Sequence, residues 1–189
     1  MPEAEMIFML QDGTLHFGPV PEVAELRAEL LVDRTEPIGP GAMRRVAEVT
    51  GDRFDLELEV ALVPGAGVDV QLPGADLDDG CVGGAVLRIV RTGPDRLSVQ
   101  LDRTATTGEP GIDVGPRGGV APVGDDGTTG VRIIVDHSAL EIFVNGAALS
   151  ARVHPEATSS SLGLRAIGAE ATVAVRAWRM QDAWPPDRR

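Results

Sequence analysis

From Phe54 to Met180 apolar residues return at every second position, and this period constrains the fold more than any other feature. In "RFDLELEVAL", Phe54, Leu56, Leu58 and Val60 share one face, while Asp55, Glu57 and Glu59 share the other. Successive side chains of a strand point to opposite faces, so this stretch is a strand with one buried side and one wet side. The pattern recurs in "AVLRIVR", "RLSVQLDR", "VRIIVD", "LEIFVN", "AALSARVH", "SLGLRAI" and "ATVAVRAWRM". The links between them are short: "TGPD", "HSA" and Asn145-Gly146, a pair suited to a tight hairpin. Many short strands with close turn signals predict an all-β chain, a two-sheet antiparallel β-sandwich of the jelly-roll, concanavalin- or lectin-like kind. The Gly- and Pro-rich "TGEPGIDVGPRGGVAPVGDDGTTG" reads as a long sheet-to-sheet connection.

Helical spacing occurs once, in "PEVAELRAELL". Pro21 suits a helix start, and Val23, Leu26, Leu30 and Leu31 fall on one helical face. Before it, "EMIFMLQDGTLHFG" reads as two short strands around Asp12-Gly13. The expected organisation is an N-terminal arm over 1–20, a short helix over 21–32 and a sandwich over 33–189.

Composition narrows the chemistry. A chain of 189 residues suits one domain, burying roughly 70% of its unfolded surface. The lone Cys81 forms no internal disulfide and gives no metal-ligand spacing. All 17 basic residues are arginine, which excludes Schiff-base chemistry and a phosphate-loop lysine. A net charge of −12 argues against nucleic acid and anionic membranes as partners. The N-terminus has acids where a signal peptide needs bases, and "MIFML" is too short for a signal core or a span. A free-standing chain of this kind is expected in the cytoplasm. No cofactor is expected.

Candidate chemical residues are few. "VRIIVDHSALEIFVNG" places Asp136, His137 and Glu141 within six residues. Its structural reading has Asp136 and Ser138 holding the turn through side chain to backbone hydrogen bonds, with Glu141 in solvent or paired with an arginine. Asp102 and Arg103 are adjacent and would point to opposite faces, so an ion pair with other residues is favoured over catalysis. If the chain is an enzyme, these five are the first catalytic candidates. A glycosidase needs two carboxylates flanking the bond, one of them protonated, and 29 acidic residues cannot nominate a pair by composition. The loops "ADLDDG" and "VGDDGTTG" raise calcium but lack the spacing of a helix-loop-helix site. His16, His137 and His154 form no zinc motif. No metal site is expected. Trp178 and Trp184 are the aromatic platforms on which a sugar ring could stack.

The run Val131-Arg132-Ile133-Ile134-Val135-Asp136-His137-Ser138, then Glu141-Ile142-Phe143-Val144-Asn145-Gly146, then Ser150-Ala151-Arg152-Val153-His154-Pro155, resembles the end of a known module. It is similar to the C-terminal β-sandwich of glycoside hydrolase family 32, the invertases, inulinases, levanases and related β-fructosidases. "SVQLDRTATTG" and "ATVAVRAWRMQDAW" resemble an earlier strand end and the closing strand of that module. "DGTLHFGPVPEVAELRAE" resembles the passage from the last propeller strand into the sandwich. His137 stands where the family usually has arginine, and the Asn145-Gly146 turn is short.

The resemblance implies a sandwich fold and a structural or accessory role. The family's catalysis lies in an N-terminal five-bladed propeller with Asn-Asp-Pro-Asn-Gly, Arg-Asp-Pro and Glu-Cys motifs. None occurs here, so the chain is not expected to act as a β-fructosidase on its own. The expected function is a non-catalytic accessory β-sandwich assisting glycan binding or assembly. The alternative is a free-standing sandwich repurposed as an enzyme, such as a cyclase or isomerase, acting on a small metabolite in an internal or concave pocket. Expected partners are fructan or another small ligand, and either a propeller-bearing protein or a second copy of the chain engaged through residues 1–20.

Overall fold

The computed structural model describes residues 6–11, 14–76, 82–106, 111–153 and 160–182. In chain order the strands are β1 (Met6–Gln11), β2 (Thr14–Pro19), β3 (Arg27–Ile38), β4 (Met43–Thr50), β5 (Arg53–Ala61), β6 (Gly67–Gln71), β7 (Ala75–Asp76), β8 (Val82–Gly83), β9 (Val86–Arg91), β10 (Arg96–Asp102), β11 (Arg117–Pro122), β12 (Thr128–Asp136), β13 (Ala139–Val144), β14 (Ala147–Arg152), β15 (Ser161–Ile167) and β16 (Ala171–Met180). A first six-stranded sheet runs β14-β13-β12-β5-β16-β3, and a second runs β11-β10-β9-β6-β15-β4. Pairing within both is antiparallel.

The period-two pattern fixes which faces meet. Leu56, Ile133, Ile142 and Val173 of the first sheet, and Val68, Leu87, Leu101 and Leu162 of the second, are buried in one apolar core. Full burial of a side chain of this size stabilises by about 1.5–3 kcal/mol, so the alternation itself selects the sandwich. The β13–β14 hairpin turns on Asn145 (φ 44°) and Gly146 (φ 84°). Two successive positive φ angles match the right-handed twist of the flanking strands.

The expected helix over Pro21–Leu31 is corrected. A 3-10 helix covers Pro21–Leu26, and β3 begins at Arg27. The helical spacing is outweighed by sheet completion. Arg27, Glu29 and Leu30 pair with Met180, Arg179 and Trp178 of β16, and the Gln181 N–H donates to the Leu26 carbonyl at 2.9 Å. The long connection also contains a strand. β11 forms the edge of the second sheet, and a Cβ at Gly118 would stand 2.6 Å from the Val99 carbonyl oxygen, so glycine there lets β11 lie close against β10.

The outer face of the first sheet is partly covered. Ile134, Phe143, Met180 and Val23 form a second buried cluster, against which Phe17, Val20 and Leu26 pack. The Phe17 N–H donates to the Gly146 carbonyl at 2.8 Å, so β2 leads back onto the β13–β14 hairpin. β1 pairs with β2.

Candidate ligand groove

The outer face of the second sheet is open, and it carries a groove of about 800 Å³. Its lining follows from register. One rung crosses all six strands: Met43 (β4), Arg165 (β15), Asp69 (β6), Arg88 (β9), Gln100 (β10) and Gly118 (β11). The next rung carries Gly163, Gln71, Val86 and Asp102. Alternation sends the residues between these rungs, such as Val70, Leu87 and Leu101, into the core. A Cβ at Gly163 would stand 2.9 Å from the Met43 sulfur and 3.2 Å from Gln71 Oε1, so glycine keeps the floor low there.

The polar groups are ordered by one ion pair. Arg88 donates through Nε to Asp69 Oδ1 at 2.7 Å and through Nη2 to Asp69 Oδ2 at 2.9 Å. The Asp69 carboxylate is nearly buried, while half the Arg88 side chain remains exposed. The hydrogen bonds from Arg88 to Asp69 and the carboxylate's charge raise the Arg88 pKa, so its charge is fixed. Asp102 ends β10 and accepts from the Thr104 N–H at 2.9 Å and the Thr104 hydroxyl at 2.7 Å. The Thr104 hydroxyl, followed by its N–H and the nearby Arg88, holds the Asp102 carboxyl below the usual carboxylate range. Arg117 is paired with Asp113 at 2.5 Å at the groove's rim. Arg165 is exposed and makes no hydrogen bond or ion pair among the described residues.

The residues nominated from the sequence fall at separate places. Asp102 lines the groove, whereas Arg103 is buried away from it. Arg103 donates to the Gly115 carbonyl at 3.2 and 2.7 Å and to the Arg152 carbonyl at 2.8 Å, tying the 111–116 loop to β14. Asp136, His137 and Glu141 lie on the first sheet and its turn. The expected Asp136 turn cap is corrected: its side chain makes no hydrogen bond among the described residues. His137, at φ 53°, holds the turn instead. Its N–H donates to the Asp52 carbonyl at 2.7 Å, and its Nδ1 lies 2.7 Å from Asp52 Oδ2. Glu141 accepts from the Ser150 hydroxyl at 2.5 Å. Trp178 lies on the outer face of the first sheet with the Arg27 guanidinium 3.6 Å from its ring centroid, so that ring face is already occupied. Trp184, His154 and Cys81 lie outside the described residues.

Two features escaped the sequence reading. Asp55, placed there on the wet face, is fully buried beneath Arg27 and Arg132. The groove's central rung also went unread, because β6 and β15 are distant in sequence and only register aligns Asp69 with Arg165. In the "VGDDGTTG" loop, Asp126 accepts from the Thr128 N–H at 2.9 Å and the Thr128 hydroxyl at 2.6 Å, closing a turn. Among the described residues no group of three or more His, Cys, Asp or Glu is arranged to hold a metal ion.

Comparison with known proteins agrees with this architecture. Residues 87–179 match the family model described as Glycosyl hydrolases family 32 C terminal. Fructan 1-exohydrolase IIa from Cichorium intybus superposes with a TM-score of 0.76 at 16% identity, covering 94% of this chain and 40% of that one. Exo-inulinase from Aspergillus awamori gives 0.70 at 18% identity, with 95% and 35% covered. Sucrose-6-phosphate hydrolase from Lactobacillus gasseri gives 0.65 at 21%, with 93% and 33% covered. The chain thus spans a third to two fifths of the length of these structures. No curated protein sequence matches it.

Proposed function

We propose that this chain, a C-terminal sandwich domain of the glycoside hydrolase family 32 type, serves as a non-catalytic accessory module that holds a glycan in the groove of its second sheet. One observation carries the reading: both Asp69 oxygens and Asp102 Oδ1 are taken as hydrogen-bond acceptors, while Asp102 Oδ2 has no partner among the described residues. Asp69 gives both oxygens to Arg88, and Asp102 is held low by Thr104. Glycoside cleavage needs one carboxyl that keeps its proton near neutral pH, and Asp102 is shifted the opposite way. What remains suits recognition. The Gln100 amide, the Asp102 carboxylate and the exposed guanidinium groups match the donors and acceptors of vicinal hydroxyls. A proton donor tuned towards neutrality would favour the small-metabolite enzyme, and Asp102 is shifted the other way.

The test is isothermal calorimetry with inulin- and levan-derived oligosaccharides, run beside an assay for released fructose. Binding without fructose release, weakened by Gln100→Ala, is the expected result. Fructose release above a buffer control, lost on Asp102→Asn, would overturn it.

A further inference from the structure

We infer that the groove selects a sugar derivative bearing an oxyanion, a phosphate ester or a carboxylate, seated between Arg165 and Arg88. This rests on the reading of the groove as a glycan site and names the ligand class. Arg165 and Arg88 flank Asp69 on the central rung, one on either neighbouring strand. Strands lie about 4.8 Å apart, so the two arginine Cα atoms are within reach of one small ligand. Asp69 is the nearest anion to both by register, yet Arg88 takes both of its oxygens. Arg165, opposite Asp69, is therefore left without a carboxylate among the described residues. The chain carries 29 acidic residues against 17 basic ones, so acids are in excess to neutralise a surface arginine. The rim arginine Arg117 does pair, with Asp113. An unneutralised guanidinium inside a concave site is a receptor for an external anion, and its planar fork matches carboxylate and phosphate oxygens. Arg88 adds a second guanidinium that is held in place by Asp69 and half exposed. Gln100 on the same rung and Asp102 on the next would meet the hydroxyls of the attached sugar.

The test is isothermal calorimetry at fixed ionic strength with four probes: fructose 6-phosphate, gluconate, fructose and inorganic phosphate. Fructose 6-phosphate or gluconate is expected to bind at least tenfold more tightly than fructose. The first would identify a phosphate ester as the anion and the second a carboxylate. The advantage should vanish in Arg165→Gln and survive in Arg96→Gln, a control at the start of β10 outside the groove. Circular dichroism and a thermal melt of Arg165→Gln verify that it folds. Fructose binding as tightly as the anionic probes would overturn the inference and leave the accessory reading standing. Inorganic phosphate binding as tightly as fructose 6-phosphate would reduce the site to a bare anion site and overturn the sugar-derivative claim. Failure of every sugar to bind would overturn both readings.

Discussion

Arg27 meets Asp55 at 2.7 Å across the outer face of the first sheet, twenty-eight residues away in sequence. Asp55 is fully buried there, and Arg132 donates to its two oxygens at 3.0 and 2.7 Å. Arg27 also bonds Glu57 and lies over Trp178. The pair fastens the start of β3 to the middle of the sheet.

Replacing Arg132 by Met should therefore cost about 3 kcal/mol, because a wholly buried carboxylate loses one of its two cations. Urea unfolding gives the value. A midpoint equal to that of the parent chain would show that Asp55 is satisfied by Arg27 alone.

The covered side of the first sheet makes a second prediction. Phe143→Ala should cost about 3–4 kcal/mol, as for a buried aromatic, although Phe143 lies outside the main core. Deleting residues 1–18 removes Phe17 from the same cluster and should increase binding of a hydrophobic dye. If the arm also pairs with a second copy of the chain, light scattering should show a dimer that the deletion converts to monomer. An unchanged mass and unchanged dye binding would make the arm a passive tail.

At the β12–β13 turn the weight falls on His137. Asp136→Ala should stay within about 0.5 kcal/mol of the parent, as surface changes do. His137→Ala should cost up to about 1 kcal/mol, since it loses the exposed Nδ1 contact with Asp52 while keeping the backbone bond. Thermal melts of the two variants rank them. The reverse order would restore Asp136 as the turn's anchor.

Asp102 supplies the pH dependence. Its folded pKa is depressed by Thr104 and Arg88, so its stabilisation is fully present above the unfolded carboxyl value, about 3.9. That stabilisation is lost as pH falls through the folded value. Because the group is exposed, its size should be under about 1 kcal/mol. Asp102→Asn should unfold at a lower urea midpoint than the parent near pH 6, and the difference should shrink towards pH 2. A gap that widens in acid would mean the carboxyl is protonated in the native groove.

The sandwich was legible where side chains alternate strictly. Phe54 to Val60 of β5, and the hairpins around His137 and Asn145, follow directly from that period. β3 was read as helix over its first residues because Leu26, Leu30 and Leu31 fit helical spacing, and the pairing partner that decides the matter, β16, lies some 150 residues away. β11 was hidden because this edge strand, with two glycines and one buried residue, has no buried period to display. The groove was hidden for a related reason. Asp102 alone was visible as a candidate, while Arg88, Asp69 and Arg165 look like ordinary wet-face residues until the sheet order places them on one rung.

In the function proposed above, the second sheet binds a glycan and leaves it intact. A nitrogen–proton correlation spectrum of the labelled chain, titrated with an inulin trisaccharide and monitored for sugar signals in the same tube, tests it most directly. The account predicts saturating shifts at Gln100, Asp102, Gly118 and Arg165, with the trisaccharide unchanged after days. Shifts confined to the first sheet around Asp136, His137 and Glu141, or the growth of free fructose signals, would contradict it.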